Sequence, residues 1–228
     1  AFGPGNLIYI VSRGVEEIGQ RISRVTRDHQ FLGQFGSGGR GDGQFVWPRS
    51  IDLDTNGNVY VSDDFLNRIT VFDQEGTFLS SWGTSGSNEG EISGPSGIAF
   101  DVDGNVFVVD SANNRVQKFT KEGSFLSSFG HEGESDGEFN LPWGICLDNS
   151  GNVYVADWKN NRVQKFDSEG RFQVKFQGTD SGVGDLHGPT GVAVDSEGDV
   201  YVTDWGNHRV QIYASFGRFV TTLVGDAQ

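Results

Sequence analysis

The sequence predicts an all-β protein, a β-propeller of four-stranded antiparallel blades. Three observations carry that prediction: the chain repeats itself every 47 residues, glycine outnumbers proline 34 to 5, and no segment keeps a helical period. Glycine in excess suits many tight turns between short strands. Four antiparallel strands without a helix cannot bury both faces of a sheet alone. Repeats of this length solve that by packing blade on blade around an axis.

The repeat is read directly from the residues. Arg21, Arg68, Arg115, Arg162 and Arg209 form one series, and Pro48, Pro95, Pro142 and Pro189 another. Asp63, Asp110, Asp157 and Asp204 keep the same step, as do Gly57, Gly104, Gly151 and Gly198. The aromatic series Phe31, Phe78, Phe125, Phe172 and Phe219 does so too.

The unit starting at Pro95 shows the expected elements in order. Residues 97–100 are a brief apolar innermost strand, followed by an Asp-, Gly- and Asn-rich turn over 101–105. Residues 106–109 are β-branched and aromatic, as a strand buried on both faces requires. The chain turns again over 111–114, and 115–119 alternates in polarity. A further turn over 121–123 leads to 125–129, an outer strand with Ser127 and Ser128 towards water. The glycine-rich stretch 36–43 recurs at 83–90 and 130–137, which makes it a connector between blades.

The whole chain, 1–228, reads as a single propeller domain. Its first blade, about 1–47, is incomplete, and complete blades follow at 48–94, 95–141, 142–188 and 189–228. Ala1-Phe2 matches Ala99-Phe100, the end of an innermost strand. A strand at 7–12 follows, then a longer loop over 13–20 before Arg21 rejoins the register.

The pattern Asp101-x-x-Gly104-Asn105-Val106-Phe107-Val108-x-Asp110-x-x-Asn113-x-Arg115-Val116, with Phe119 and Gly123-x-Phe125 beyond it, resembles the NHL repeat family. Asn207-His208-Arg209 comes close to the tripeptide that names the family. The Trp-Asp pairs of WD-type propellers and the repeated Gly-Gly pairs of kelch propellers are missing. NHL propellers usually have six blades. The resemblance therefore implies part of a six-bladed protein, or an open form that closes by pairing its exposed blade edges with a second copy. The evenness of the repeats resembles bacterial and archaeal members more than animal ones.

Composition narrows the function. The formal net charge is −14, from 31 acids against 17 bases, which disfavours phosphate backbones and argues against nucleic acid as a partner. No run of apolar residues is long enough to span a membrane as a helix. The lone Cys146 excludes a disulfide framework and a cysteine-built zinc site. The compartment (cytoplasmic, periplasmic or secreted) stays open. His29, His131, His187 and His208 occupy four different places in the repeat and cannot form one metal-binding ring by symmetry.

Residues that recur in every unit read as scaffold, because a catalytic group is needed once. The repeated Asp, five positions before an Arg, is expected to pin its turn through backbone amides or that Arg. Function is expected where the units disagree. By the family resemblance, the loops into the first strand and those between the second and third share one face. After the repeated proline stand Arg49, Ser96, Trp143 and Thr190, and after the repeated Asp stand Asp64, Ser111, Trp158 and Trp205. Phe65 and Lys159 follow two of these. The binding residues so selected are Arg49, Asp64, Phe65, Trp143, Trp158 and Trp205, since Trp and Arg are the usual anchors of binding surfaces. The expected partner is a peptide, a protein or a small polar ligand.

The alternative is a metal-dependent enzyme of lactonase or lyase type with an axial site. Calcium would be its metal and Asp52 its single candidate ligand, because Ala99, Cys146 and Ala193 hold that place elsewhere. No cofactor is otherwise expected. The amidating lyases of the NHL family use histidines beside the first strands, and the matching positions here, Arg49, Ser96, Trp143 and Thr190, carry none. Cys146 lies on an apolar inner strand without a nearby histidine in sequence, so it reads as packing and not as a nucleophile.

Overall fold

The computed structural model describes residues 1–14, 19–178, 182 and 184–223. Among them are five four-stranded antiparallel sheets, each in chain order from innermost to outermost strand, so the fold is the predicted all-β propeller type. The six blades usual in the family are not reached within the described residues. None of their helices is long and apolar enough to cross a membrane.

The innermost strand of the first sheet is Phe2–Gly3, two residues paired with Leu7–Ser12, so that blade is incomplete as read. The second sheet runs Pro48–Leu53, Val59–Asp63, Arg68–Phe72 and Phe78–Trp82. Later sheets repeat this plan with first strands Pro95–Phe100, Pro142–Leu147 and Pro189–Val194. Each of these first strands starts two residues before the apolar run that announced it in the third unit. The repeated proline pairs with the repeated Asp, as Pro95 does with Asp110, and an irregular step then returns the strand to register at Ile98. A proline lacks an N–H but can stand at a strand's first position, and the chain uses it there.

The second strands of the three middle sheets, Val59–Asp63, Val106–Asp110 and Val153–Asp157, are buried throughout, whereas Leu7–Ser12 and Val200–Asp204 each expose one residue. The turns after them are short 3-10 helices in three units, Ser111–Asn113, Trp158–Asn160 and Trp205–Asn207. Reading the sequence also missed two-residue parallel ladders in the glycine-rich connectors, Ser37–Gly38 with Gln44–Phe45 and Thr84–Ser85 with Glu91–Ile92.

The chain divides into two compact units, residues 1–112 with 118–127, and residues 113–117 with 128–228. Among the described residues, the first unit holds two clusters of buried apolar side chains. One gathers Tyr9, Ile22, Phe45, Val59, Val61 and Phe72, the other Tyr60, Ile69, Ile92, Ile98, Val106 and Phe119. The core of the second unit holds Tyr154, Val163, Phe176, Val200, Val202 and Tyr213. Burying such side chains contributes on the order of 2 kcal/mol each, so packing between sheets dominates the fold.

Candidate functional site

The repeated polar residues build the frame on which the variable ones sit. Asp157 is fully buried. It accepts the Asn140 N–H at 2.8 Å, Arg162 Nε at 2.8 Å and Asn160 Nδ2 at 2.9 Å. Asp204 repeats this with the His187 N–H at 2.6 Å and Arg209 Nε at 2.8 Å. Asp63 instead takes backbone N–H groups, from Val46 at 2.7 Å, Phe65 at 3.1 Å and Leu66 at 3.0 Å. Arg68 there turns to the carbonyls of Gly41 and Gln44. Both expected modes of pinning the turn therefore occur, and the difference lies in where the arginine goes.

A second repeated device joins successive blades. Asn67, Asn114 and Asn161 adopt left-handed backbone with φ of 51°, 53° and 52°. Asn is among the few residues that tolerate this conformation. Their Oδ1 atoms accept the N–H of Gly94, Leu141 and Gly188, each in the loop leading into the next first strand. The loops that carry the variable side chains are thus held by scaffold groups at both ends.

In the second unit this frame presents an aromatic cleft. Trp158 and Trp205 open their 3-10 turns directly after the pinned Asp157 and Asp204. With Lys159, Asn161, His187 and Gly188 they line a cleft of about 210 Å³. Trp143 stacks on Trp158, ring centroids 5.1 Å apart and planes 19° from parallel. Lys159 Nζ lies 4.2 Å from the Trp158 ring centre, a cation–π contact. Trp205 is 63% exposed. Gly188 has φ +60°, and a Cβ there would come within 2.8 Å of Trp158 Nε1, so the indole lies over a position that needs glycine.

In the first unit the variable residues form a different patch. Arg49 Nε donates to Asp64 Oδ2 at 2.7 Å, a half-buried ion pair. Phe65 and Trp47 meet edge to face at 6.2 Å and are 47% and 46% exposed. Arg40 covers the Phe65 ring at 5.0 Å, and Arg13 covers Trp47 at 5.3 Å. The structure thus brings Arg49, Asp64 and Phe65 together in one unit, and Trp143, Trp158 and Trp205 together in the other. Reading the sequence missed Trp47, Arg13 and Arg40 here and His187 in the cleft. Trp47 was detectable, because the residue before the repeated proline varies strongly: Trp47, Gly94, Leu141 and Gly188.

The groups considered for chemistry are placed as follows. Asp52 lies on Pro48–Leu53, and its carboxylate accepts the Phe100 N–H at 3.2 Å. Burial pushes its carboxyl up, against the backbone N–H groups of Leu53 and Phe100 that pull it down. Among the described residues no three His, Cys, Asp or Glu side chains cluster as metal ligands would. Burial, with Asp148 adding to it, pushes the Cys146 thiol up to about 12, which keeps it protonated and unreactive. His29 and His208 sit in left-handed turn positions, and His131 lies 3.4 Å from Glu138 on the surface.

The family described as NHL repeat matches residues 93–119, 139–166 and 186–213. The chain carries NHL repeats. Each matched NHL segment runs from the loop before a first strand to the end of a third strand, so it contains the pinned Asp and its Arg. Asp63 and Arg68, outside those matches, stand opposite each other in the same ladder register, although Arg68 bonds to carbonyls there. No curated protein matches the chain. Among solved structures, virginiamycin B lyase from Staphylococcus aureus is similar in fold, with 15% identity and a TM-score of 0.71 over all of this chain and 69% of that one. A streptogramin B lyase gives 14% and 0.68 over 97% and 73%. A protein of unknown function from Bacteroides caccae gives 14% and 0.66 over 96% and 73%. At these identities the likeness is one of fold.

Proposed function

We propose that this NHL propeller is a non-catalytic binding module that takes a peptide segment of a partner protein in the cleft of Trp158, Lys159 and Trp205. The observation that carries this reading is the division of labour between repeated and variable residues. The repeated Asp and Asn groups are bonded to the backbone, to their arginines or to both, whereas the indoles occur where the repeats differ and Trp205 stands 63% exposed. Exposed indole beside a lysine is the composition of a binding hot spot, with large apolar area and little side-chain entropy to lose.

The test is selection of binders from a random peptide library on the wild-type chain, then titration into Trp205→Ala and Trp158→Ala. Trp205→Ala should weaken the selected peptides by about 2 kcal/mol or more and leave the fold intact. Peptides that bind both variants as well as wild type would refute the assignment.

A second reading, an enzyme of lyase type, is favoured by the fold likeness to the two lyases. A catalytically inactive variant of the Staphylococcus aureus lyase has been solved with quinupristin, so incubation with quinupristin, with and without a divalent cation, followed by chromatography separates the readings. Cation-dependent conversion of quinupristin would replace the binding module by the enzyme.

A further inference from the structure

The repeat departs from itself at one position where a cation otherwise sits. The fourth residue of the third strands is Arg24, Val71, Lys118, Lys165 and Ile212 in turn. Tyr9, Tyr60, Tyr154 and Tyr201 stand directly opposite Arg24, Val71, Lys165 and Ile212 in the ladders. Lys118 Nζ lies 5.0 Å over the Phe107 ring and 2.8 Å from Asp101 Oδ2. Lys165 Nζ lies 5.1 Å over the Tyr154 ring and 3.8 Å from Asp148 Oδ2. In both units the ammonium is held between an aromatic face and the carboxylate of the Asp-x-x-Gly-Asn turn. Asp101 and Asp148 bind the turn through Asn105 and Asn152 and still accept the lysine.

The second repeat, 48–94, keeps the face and the carboxylate but changes the third partner. Tyr60 and Asp54 are both buried, at 4% and 8% exposure. Asp54 Oδ1 accepts the N–H groups of Asn56 and Asn58, and Oδ2 accepts Asn58 Nδ2 at 2.9 Å. Among the described residues it receives neither a lysine nor a tyrosine hydroxyl, whereas Asp148 receives both and Asp195 the hydroxyl of Tyr201. Val71 is too short to reach it. A cleft of about 350 Å³ opens there, lined by Asp54, Tyr60, Val71 and Trp82, with Lys121 and Glu122 also contributing. Those last two charges lie 4.0 Å apart and offset each other. A nearly buried carboxylate with acceptor capacity left, beside an aromatic face, attracts a cation more strongly than it would in water.

We propose that this cleft binds an alkylammonium group, with the ammonium on Asp54 against Tyr60 and the methylene stem along Val71 and Trp82. The lysine side chain of a partner protein and a small free amine share this chemistry. The site is separate from the tryptophan cleft and does not rest on the peptide-binding reading.

The test is an NMR titration of the labelled chain with n-butylammonium and with Nα-acetyl-lysine methylamide. The indole N–H of Trp82, assigned by Trp82→Phe, is the reporter, because among the described residues it has no hydrogen-bond partner. A saturable shift with Kd on the order of millimolar is expected. Tighter binding of the lysine derivative would identify a polypeptide source, and equal binding a free amine. Val71→Lys restores the residue of the sister units, so it should raise the melting temperature and abolish the shift. Asp54→Asn should weaken binding more than about tenfold. An equal shift with n-butanol, unchanged binding in Val71→Lys, or binding only after Lys121→Ala would each overturn the proposal.

Discussion

Replacing Asp157 by Ala probes the frame at its most buried point. The carboxylate is fully buried and the Arg162 side chain is only 4% exposed. The substitution takes Oδ1 from the Asn140 N–H, and Oδ2 from Asn160 Nδ2, Arg162 Nε and Gln164 Nε2. Removing one partner of a buried ion pair costs about 3–5 kcal/mol, and an orphaned buried N–H about 1–3 more. Arg162 keeps its bonds to the carbonyls of Ser135 and Glu138 and has Asp136 at 3.6 Å, which softens the loss. The expected cost is therefore about 4 kcal/mol. Urea unfolding followed by tryptophan fluorescence and circular dichroism reads it. With a slope of about 2 kcal/mol per molar, the midpoint should fall by about 2 M. Asp204→Ala should cost less, because its Arg209 side chain is 28% exposed and solvent can take over part of its solvation. A loss below about 1 kcal/mol for Asp157→Ala would refute the argument that these repeated pairs hold the loops.

Three further outcomes follow from the same geometry. Gly188→Ala puts a Cβ against Trp158 Nε1 at φ +60°, so it should cost about 1–2 kcal/mol and change the near-ultraviolet dichroism of the Trp143–Trp158 stack; an unchanged spectrum would contradict the placement of that indole. Cys146 should resist a thiol reagent at pH 8 in the folded chain and react on unfolding, because burial pushes its thiol up to about 12; rapid labelling of the native chain would refute this. Burial pushes Asp101 and Asp148 up, yet hydrogen bonds from Lys118 and Asn105, and from Asn152 and Tyr154, hold both below the ordinary carboxylate value. A folded pKa below the unfolded one gives stability that is complete at neutral pH and lost as pH falls. The urea midpoint should accordingly decline from about pH 5 downward, and a midpoint constant to pH 3 would exclude that contribution.

Most of the frame was legible because the repeat exposes it. A residue kept every 47 positions, such as Asp157 or Pro142, has one job in every unit, and its neighbours mark the strand or turn that does it. Starts of strands were less legible. Pro95 and Ser96 lie beyond an irregular step in the ladder, so their polarity does not announce a strand. The fate of the arginines was not legible at all, since Arg68 and Arg162 share one register and both bond to backbone carbonyls, yet only Arg162 also bonds to the repeated Asp of its own turn. For the candidate site, divergence between units located the tryptophans and Arg49. It gave no sign that Arg49 is engaged by Asp64, because an ion pair between two variable positions has no period to reveal it. His187 escaped because it precedes a glycine in the loop, and its part in the cleft depends on Trp158 lying over Gly188.

The most direct test of the binding reading is native mass spectrometry of the chain mixed with a selected peptide, recorded before and after a chelator. The account predicts a one-to-one adduct that survives the chelator and is missing for Trp205→Ala. An adduct that needs a divalent metal, or one that Trp205→Ala retains in full, would contradict it.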